Sequence, residues 1–204
     1  MYMIISPGFL KSYAENNHIT ENDQEIILAE NKKFFFESGY TTQDRSYDIF
    51  LSHSYLDKVQ VLALVKLFNA HHFSVYVDWI EDKQLDRENV NAQTADLLRK
   101  RMKQSKCLSY LTTKNITKSK WCPWELGYFD GLKQSKCCIL PVMEYRGKFN
   151  GQEYLGLYPY LEYASLAGVD VGCQFYICNQ TRTNFIKLCD WLNGSNRWYT
   201  GLLI

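Results

Sequence analysis

From Ser46 onward, short apolar runs alternate with segments whose apolar residues recur at helical spacing, the pattern of a parallel sheet covered on both faces. "YDIFLS" reads as a first strand. In "SYLDKVQVLALVKLFNAHH" the apolar Tyr55, Val59, Leu62, Ala63 and Phe68 lie near helical spacing, and Lys58 and Lys66 are left for solvent. "FSVYVDW" alternates Phe73, Val75, Val77 and Trp79 with Ser74, Tyr76 and Asp78, which predicts a second strand. "IEDKQLDRENVN", residues 80–91, is charged, has no apolar face and reads as a loop. "AQTADLLRKRMKQS" predicts a helix with Ala95, Leu98 and Met102 on one side, and "KCLSYLTT" returns to strand. A helix opens within "SKWCPWELGYFDG", and the unbroken apolar run "CCILPVM" predicts a strand buried on both faces. "CQFYIC" and "RTNFIKLCDWLNG" close the pattern with a last strand and a helix stopped by Gly194.

The fold class is thus α/β, an open and mostly parallel sheet with helices on both faces. The Gly- and Tyr-rich residues 144–172 read as a long loop with at most a short edge strand. Residues 1–45 read as an N-terminal helical extension, in which Thr20 and Asp23 have capping-box spacing and Ile26, Ile27 and Phe34 supply apolar surface. Residues 46–204 form the main domain with a C-terminal tail.

A formal net charge of +1 over 204 residues does not suit a large phosphate-binding surface, so no nucleic-acid partner is expected. The basic run Arg99-Lys100-Arg101-Met102-Lys103 reads first as the solvated face of a helix, with a local anion site as the alternative. Seven cysteines, most of them in apolar runs and none in paired metal spacing, point to reduced buried thiols rather than a disulfide framework or a zinc site. No segment approaches a membrane-spanning run of about 20 apolar residues. The start "MYMIISPGFL" meets Pro7 and Gly8 too early for a signal peptide, so a cytoplasmic protein is expected.

In open α/β sheets ligands collect at the carboxyl ends of the strands. Here those positions are Ser52, His53 and Ser54, then Asp78 and Trp79, then Thr112 and Thr113, and the last pair leads directly to Trp121 and Glu125. Glycine-rich phosphate loops are absent, and Ser52, His53 and Ser54 are neighbours without a nucleophile elbow. Pro123 is tolerated only in a first helical turn, which places the helix start near residues 119–122 and Glu125 within the first two turns. Trp121 and Glu125 then share a helix face, and the helix dipole favours an ionised carboxylate there. A capping glutamate flanked by core tryptophans is the competing reading.

The strings "YDIFLSHSYLDK", "VYVDW", "LDRENVNAQTADLLRKRM" and above all "SKWCPWELGYFDG" resemble a prokaryotic stand-alone Toll/interleukin receptor (TIR) domain, over about residues 46–192 and in that family's motif order. The resemblance implies a flavodoxin-like sheet of about five parallel strands. It also implies cleavage of the nicotinamide–ribosyl bond of NAD, as hydrolase or ADP-ribosyl cyclase, by the glutamate of an S-x-W-C-x-x-E segment, here Ser119, Trp121, Cys122 and Glu125. By family position Phe50, Ser52, His53, Trp79 and Trp121 become substrate-binding candidates. His53 is equally readable as a satisfied hydrogen-bonding residue at a strand end. NAD is substrate, and neither cofactor nor metal is implied. Asp86 and Arg87 fall in the family's assembly loop, through which TIR domains associate with one another and can form filaments. That loop here lacks the usual glycine and proline, and residues 80–91 offer no apolar anchor to hold them as a private lid. The family further implies bacterial antiviral defence, in which a nucleotide product signals to an effector. Rival readings are a non-catalytic TIR interaction module and a nucleoside deoxyribosyltransferase-like enzyme.

Overall fold

The computed structural model describes residues 2–3, 5–37, 46–82, 91–144, 153–164 and 174–201, with side chains throughout except at residues 2–3 and 31–37. Strand β1 (Tyr2–Met3) precedes helices α1 (Pro7–Asn16) and α2 (Gln24–Glu37). There follow β2 (Tyr47–Ser52), α3 (Lys58–Ala70), β3 (Val75–Tyr76), α4 (Asp78–Glu81), α5 (Ala92–Lys103), β4 (Ser105–Thr112), α6 (Cys122–Lys133) and β5 (Cys137–Pro141). The chain continues through β6 (Tyr160–Ala164), β7 (Phe175–Cys178), β8 (Asn184–Lys187), α7 (Leu188–Leu192) and β9 (Tyr199–Thr200).

Among the described residues these strands form one nine-stranded sheet in the order β3-β2-β4-β5-β6-β7-β8-β9, with β1 paired to β6. Every pairing from β3 through β6 is parallel, so the expected five-stranded flavodoxin-like sheet is present. Four antiparallel strands extend it. One core cluster joins Ile49 and Leu51 to the α3 residues Val61, Leu62 and Phe68, and the other joins Phe50, Leu108 and Tyr110 to Leu98, Met102, Leu126 and Phe129. The alternation of β2 thus feeds both faces of the sheet.

The N-terminal residues enter the first cluster directly. Ile5, Leu10, Ala14, Ile19 and Ile27 are all buried in it, and the capping box of Thr20 and Asp23 opens a short 3-10 turn that leads into α2. Ile26 faces solvent, and Phe34 lies outside the described side chains.

Several elements differ from the sequence reading. Only Val75 and Tyr76 of "FSVYVDW" pair as strand, because Asp78 already starts a helical turn. Residues 80–91 are not wholly without anchorage: Ile80 is buried, and Asp82 forms a two-bond ion pair with Arg101 at 2.7 and 2.8 Å while accepting from Tyr76 at 2.9 Å. Arg101 therefore turns inward from the basic run, and its side chain is 17% exposed. Tyr55 is half exposed, since its turn precedes α3 rather than belonging to its apolar face. "RTNFIKLCDWLNG" is half strand, as pairing with β7 recruits residues 184–187 into the sheet. β6 is no edge strand, being flanked by β5 and β7. Among the described residues no helix is long and apolar enough to cross a membrane.

The thiols of Cys107, Cys122, Cys137, Cys138, Cys178 and Cys189 are free, and all but Cys189 are buried. Burial pushes the Cys107 and Cys137 thiols well up. Brief alkylation of the native protein at pH 8 should therefore label Cys189 and spare Cys107 and Cys137, and a step to pH 9 should not change this, because both remain thiols. Peptide mass mapping reads the result, and rapid labelling of Cys137 would contradict it.

Candidate active site

The parallel strands bring their carboxyl ends to one rim, and α6 begins there. Ser119 Oγ accepts from the Cys122 backbone N–H at 3.2 Å, Pro123 occupies the first turn, and the Glu125 N–H closes onto the Trp121 carbonyl at 2.8 Å. This start matches the position expected from Pro123. It aims Glu125 at the end of β2, where Ser52 Oγ donates to Glu125 Oε2 at 2.6 Å. Both residues are 0% exposed. A second tie holds the helix start, as Cys122 Sγ donates to the His53 carbonyl at 3.1 Å. The N-cap position of α6 is Trp121, and the Glu125 side chain bonds a strand serine across the sheet-to-helix interface.

Tyr110 stands beside Ser52 in the β2–β4 ladder. Burial above all, then the neighbouring Cys122, Tyr154 and Glu125, pushes its phenol well up, so it is a neutral hydrogen-bonding group beside the carboxylate. Phe50, one pleat below Ser52, stacks on Tyr76 with ring centroids 5.1 Å apart. Trp121 is buried in the same cluster and packs edge-on against Trp124 at 5.4 Å.

His53 and Trp79 form a second group. His53 Nδ1 donates to the Leu51 carbonyl at 2.8 Å, and Nε2 accepts from the Trp79 indole N–H at 2.7 Å. A carbonyl can only accept and an indole can only donate, so these partners select the neutral Nδ1–H tautomer. Asp78 Oδ1 lies 3.8 Å from Nε2, and Trp79 packs against the other core cluster. The structure thus gathers Ser52, Trp121 and Glu125 on the α6 side and pairs His53 with Trp79 separately. Asp86 and Arg87 lie outside the described residues.

One residue at this rim escaped the sequence reading. Asp57, 2% exposed, accepts from Thr113 Oγ1 at 2.6 Å and from Asn115 Nδ2 at 2.7 Å, joining the loop after β2 to the loop after β4. Its only local signal was the S-x-x-D spacing from Ser54, which suggests a helix cap rather than a cross-loop tie.

An enclosed carboxylate held by a serine hydroxyl can orient a sugar and stabilise positive charge developing on it, since water does not screen the interaction. Among the described residues no group of three or more His, Cys, Asp or Glu side chains is placed to hold a metal ion. A separate open cleft of about 570 Å³ between α1 and α3, reaching Glu144, is lined by none of the predicted site residues.

No protein-family model matches the sequence. A solved TIR domain, that of the Toll-related receptor TRR-2 of Hydra magnipapillata, aligns with a TM-score of 0.41 and 17% identity over 56% of this chain and 82% of that one. The TIR2 protein of Cytobacillus dafuensis, named as a candidate cyclic ADP-D-ribose synthase, is 34% identical over 137 residues, which are 67% of this chain and 36% of that protein. A protein of Bacillus cereus (strain MSX-D12) named "Probable 3′ cyclic ADP-D-ribose synthase ThsB′" is 48% identical over 155 residues, which are 74% of this chain and 76% of that protein. With that identity over about three quarters of both chains, and with the parallel sheet that delivers Glu125 to Ser52, the chain belongs to the bacterial TIR-domain proteins of the ThsB′ family.

Proposed function

We propose that the protein cleaves the nicotinamide–ribosyl bond of NAD and closes the ADP-ribose into a ring, with Glu125 as the catalytic carboxylate. The bond from the ribose anomeric carbon to nicotinamide nitrogen breaks, and its electron pair leaves with nicotinamide. A hydroxyl of the adenosine ribose then attacks that carbon and releases its proton. Glu125 offsets the positive charge on the ribose between these events. The single observation that supports this role is the short Ser52–Glu125 bond at the sheet rim, which joins the carboxylate to the end of β2. The relatives' names favour the same chemistry over a non-catalytic assembly module. Incubating the purified protein with NAD and resolving products by mass spectrometry is the test: equimolar nicotinamide and cyclic ADP-ribose support it, and intact NAD overturns it. Linear ADP-ribose would leave cleavage standing and remove ring closure. In this reading the enzyme works in the cytoplasm in antiviral defence, and its nucleotide product signals to an effector.

Ser52, His53 and Glu125 are all 0% exposed, so NAD reaches the carboxylate only after part of the surrounding shell shifts. In the same proposal a second copy, docking head to tail through the segment that holds Asp86 and Arg87, favours that shift. Turnover per chain should then rise with protein concentration, and reversing both charges, Asp86→Lys with Arg87→Glu, should suppress it at every concentration while the monomer stays folded. Full activity per chain in a solution shown by light scattering to be monomeric would leave a self-contained site.

A further inference from the structure

The hydrogen bonds around α6 form a closed ring. Starting from β2, Ser52 holds Glu125, and Cys122 holds the His53 carbonyl. Cys122 in turn bonds Ser119 Oγ, Ser119 N–H bonds the Ile116 carbonyl at 3.1 Å, and Ile116 N–H bonds the Thr113 carbonyl at 3.3 Å. Thr113 Oγ1 also accepts from the Asn115 N–H at 3.1 Å, and both side chains donate to Asp57. Asp57 N–H bonds the Ser54 carbonyl at 3.1 Å, which returns the ring to the residues just after β2. The ties made by Ser52 and Cys122 lie next to Glu125, whereas Asp57 closes the ring from the far side.

From this geometry we infer that Asp57 is a positioning residue for Glu125, an inference that rests on the proposed NAD chemistry. With two short bonds from buried or half-buried donors, Asp57 fixes the β4 loop, and through it the first turn of α6, relative to the β2 strand that carries Ser52. It touches no substrate. Its effect is on where the carboxylate stands when the sugar becomes positive, so its loss lowers kcat rather than NAD affinity.

The bonding pattern supplies its own test. Asp57→Asn can keep the Thr113 bond but meets Asn115 donor to donor unless the Asn115 amide turns over, which gives up the bond that its Oδ1 accepts from Lys118 Nζ at 3.4 Å. Asn115→Asp in the same chain restores a donor–acceptor pair with the polarity reversed. We expect Asp57→Asn to lower kcat about 10- to 100-fold with a KM change of no more than about twofold, Thr113→Val to fall between it and the unsubstituted protein, and the Asp57→Asn/Asn115→Asp exchange to recover most of the loss. Melting temperatures measured beside the kinetics separate positioning from simple stabilisation, which would lower the folded fraction and leave kcat per folded chain unchanged. Unchanged kcat in Asp57→Asn, or a loss that the exchange leaves in place, overturns the inference with NAD cleavage intact. No NAD turnover by the unsubstituted protein overturns the parent reading, and the role of Asp57 with it.

Discussion

Glu125→Gln should lower NAD turnover by at least about 10²- to 10³-fold, the usual cost of removing one group that stabilises charge in a transition state. The substitution keeps the side-chain volume, and the carbonyl oxygen of the introduced amide can still accept from Ser52 Oγ at the place where Oε2 now does. Circular dichroism and melting temperature should therefore match the unsubstituted protein. A protein that cleaves NAD at the original rate would return Glu125 to a structural role, as a buried polar partner of β2. If turnover and melting temperature fall together, the carboxylate is a fold determinant first.

The second large effect falls on stability, at the opposite end of the chain. Leu10 is fully buried in the cluster it shares with Leu62 and Phe68. Leu10→Ala should cost about 2–5 kcal/mol from lost transfer energy and the cavity left behind. For a chain of this length that is a drop in melting temperature of roughly 4–20 °C. Turnover per folded chain should hold, because Leu10 makes no described contact with Ser52 or Glu125. If the variant melts with the unsubstituted protein, residues 1–45 are a detachable arm, and the packing of α1 on α3 adds nothing to the domain's stability.

Local pattern carried the reading wherever one residue's chemistry fixes the backbone. β2 is "YDIFLS" to the residue, and Pro123 placed the start of α6. Where a distant partner decides, pattern failed. Residues 184–187 have apolar Phe185 and Ile186 that suit either a helix or a strand, and only the ladder with β7 settles the matter. β6 hid in a Gly- and Tyr-rich stretch because its pairing with β5 and β7, not its own local pattern, makes it a strand. The same division holds at the rim. The place of Glu125 near the start of α6 was legible through Pro123, and its proposed role came from the family resemblance alone. Asp57 was not legible, because its partners Thr113 and Asn115 lie across two loops that meet only in the folded chain. Arg101 misled for a related reason: a basic run looks solvated until a buried carboxylate such as Asp82 draws one member inward.

The pairing of β1 with β6, through Tyr2↔Ala164 and Met3↔Tyr163, also sets a timetable for folding on the ribosome. Chain growth proceeds at on the order of 5–20 residues per second, so the first strand waits roughly ten seconds or more for its partner to be made. Helix α1 can dock much sooner, as soon as α3 has emerged, since the two helices share one apolar cluster. The nascent protein thus holds its N-terminal helix in place while Tyr2 and Met3 stay without their strand partner. An unpaired strand of that composition invites association between neighbouring nascent chains. Charged residues introduced at Tyr2 or Met3 would then act on yield during synthesis more than on the stability of the finished fold.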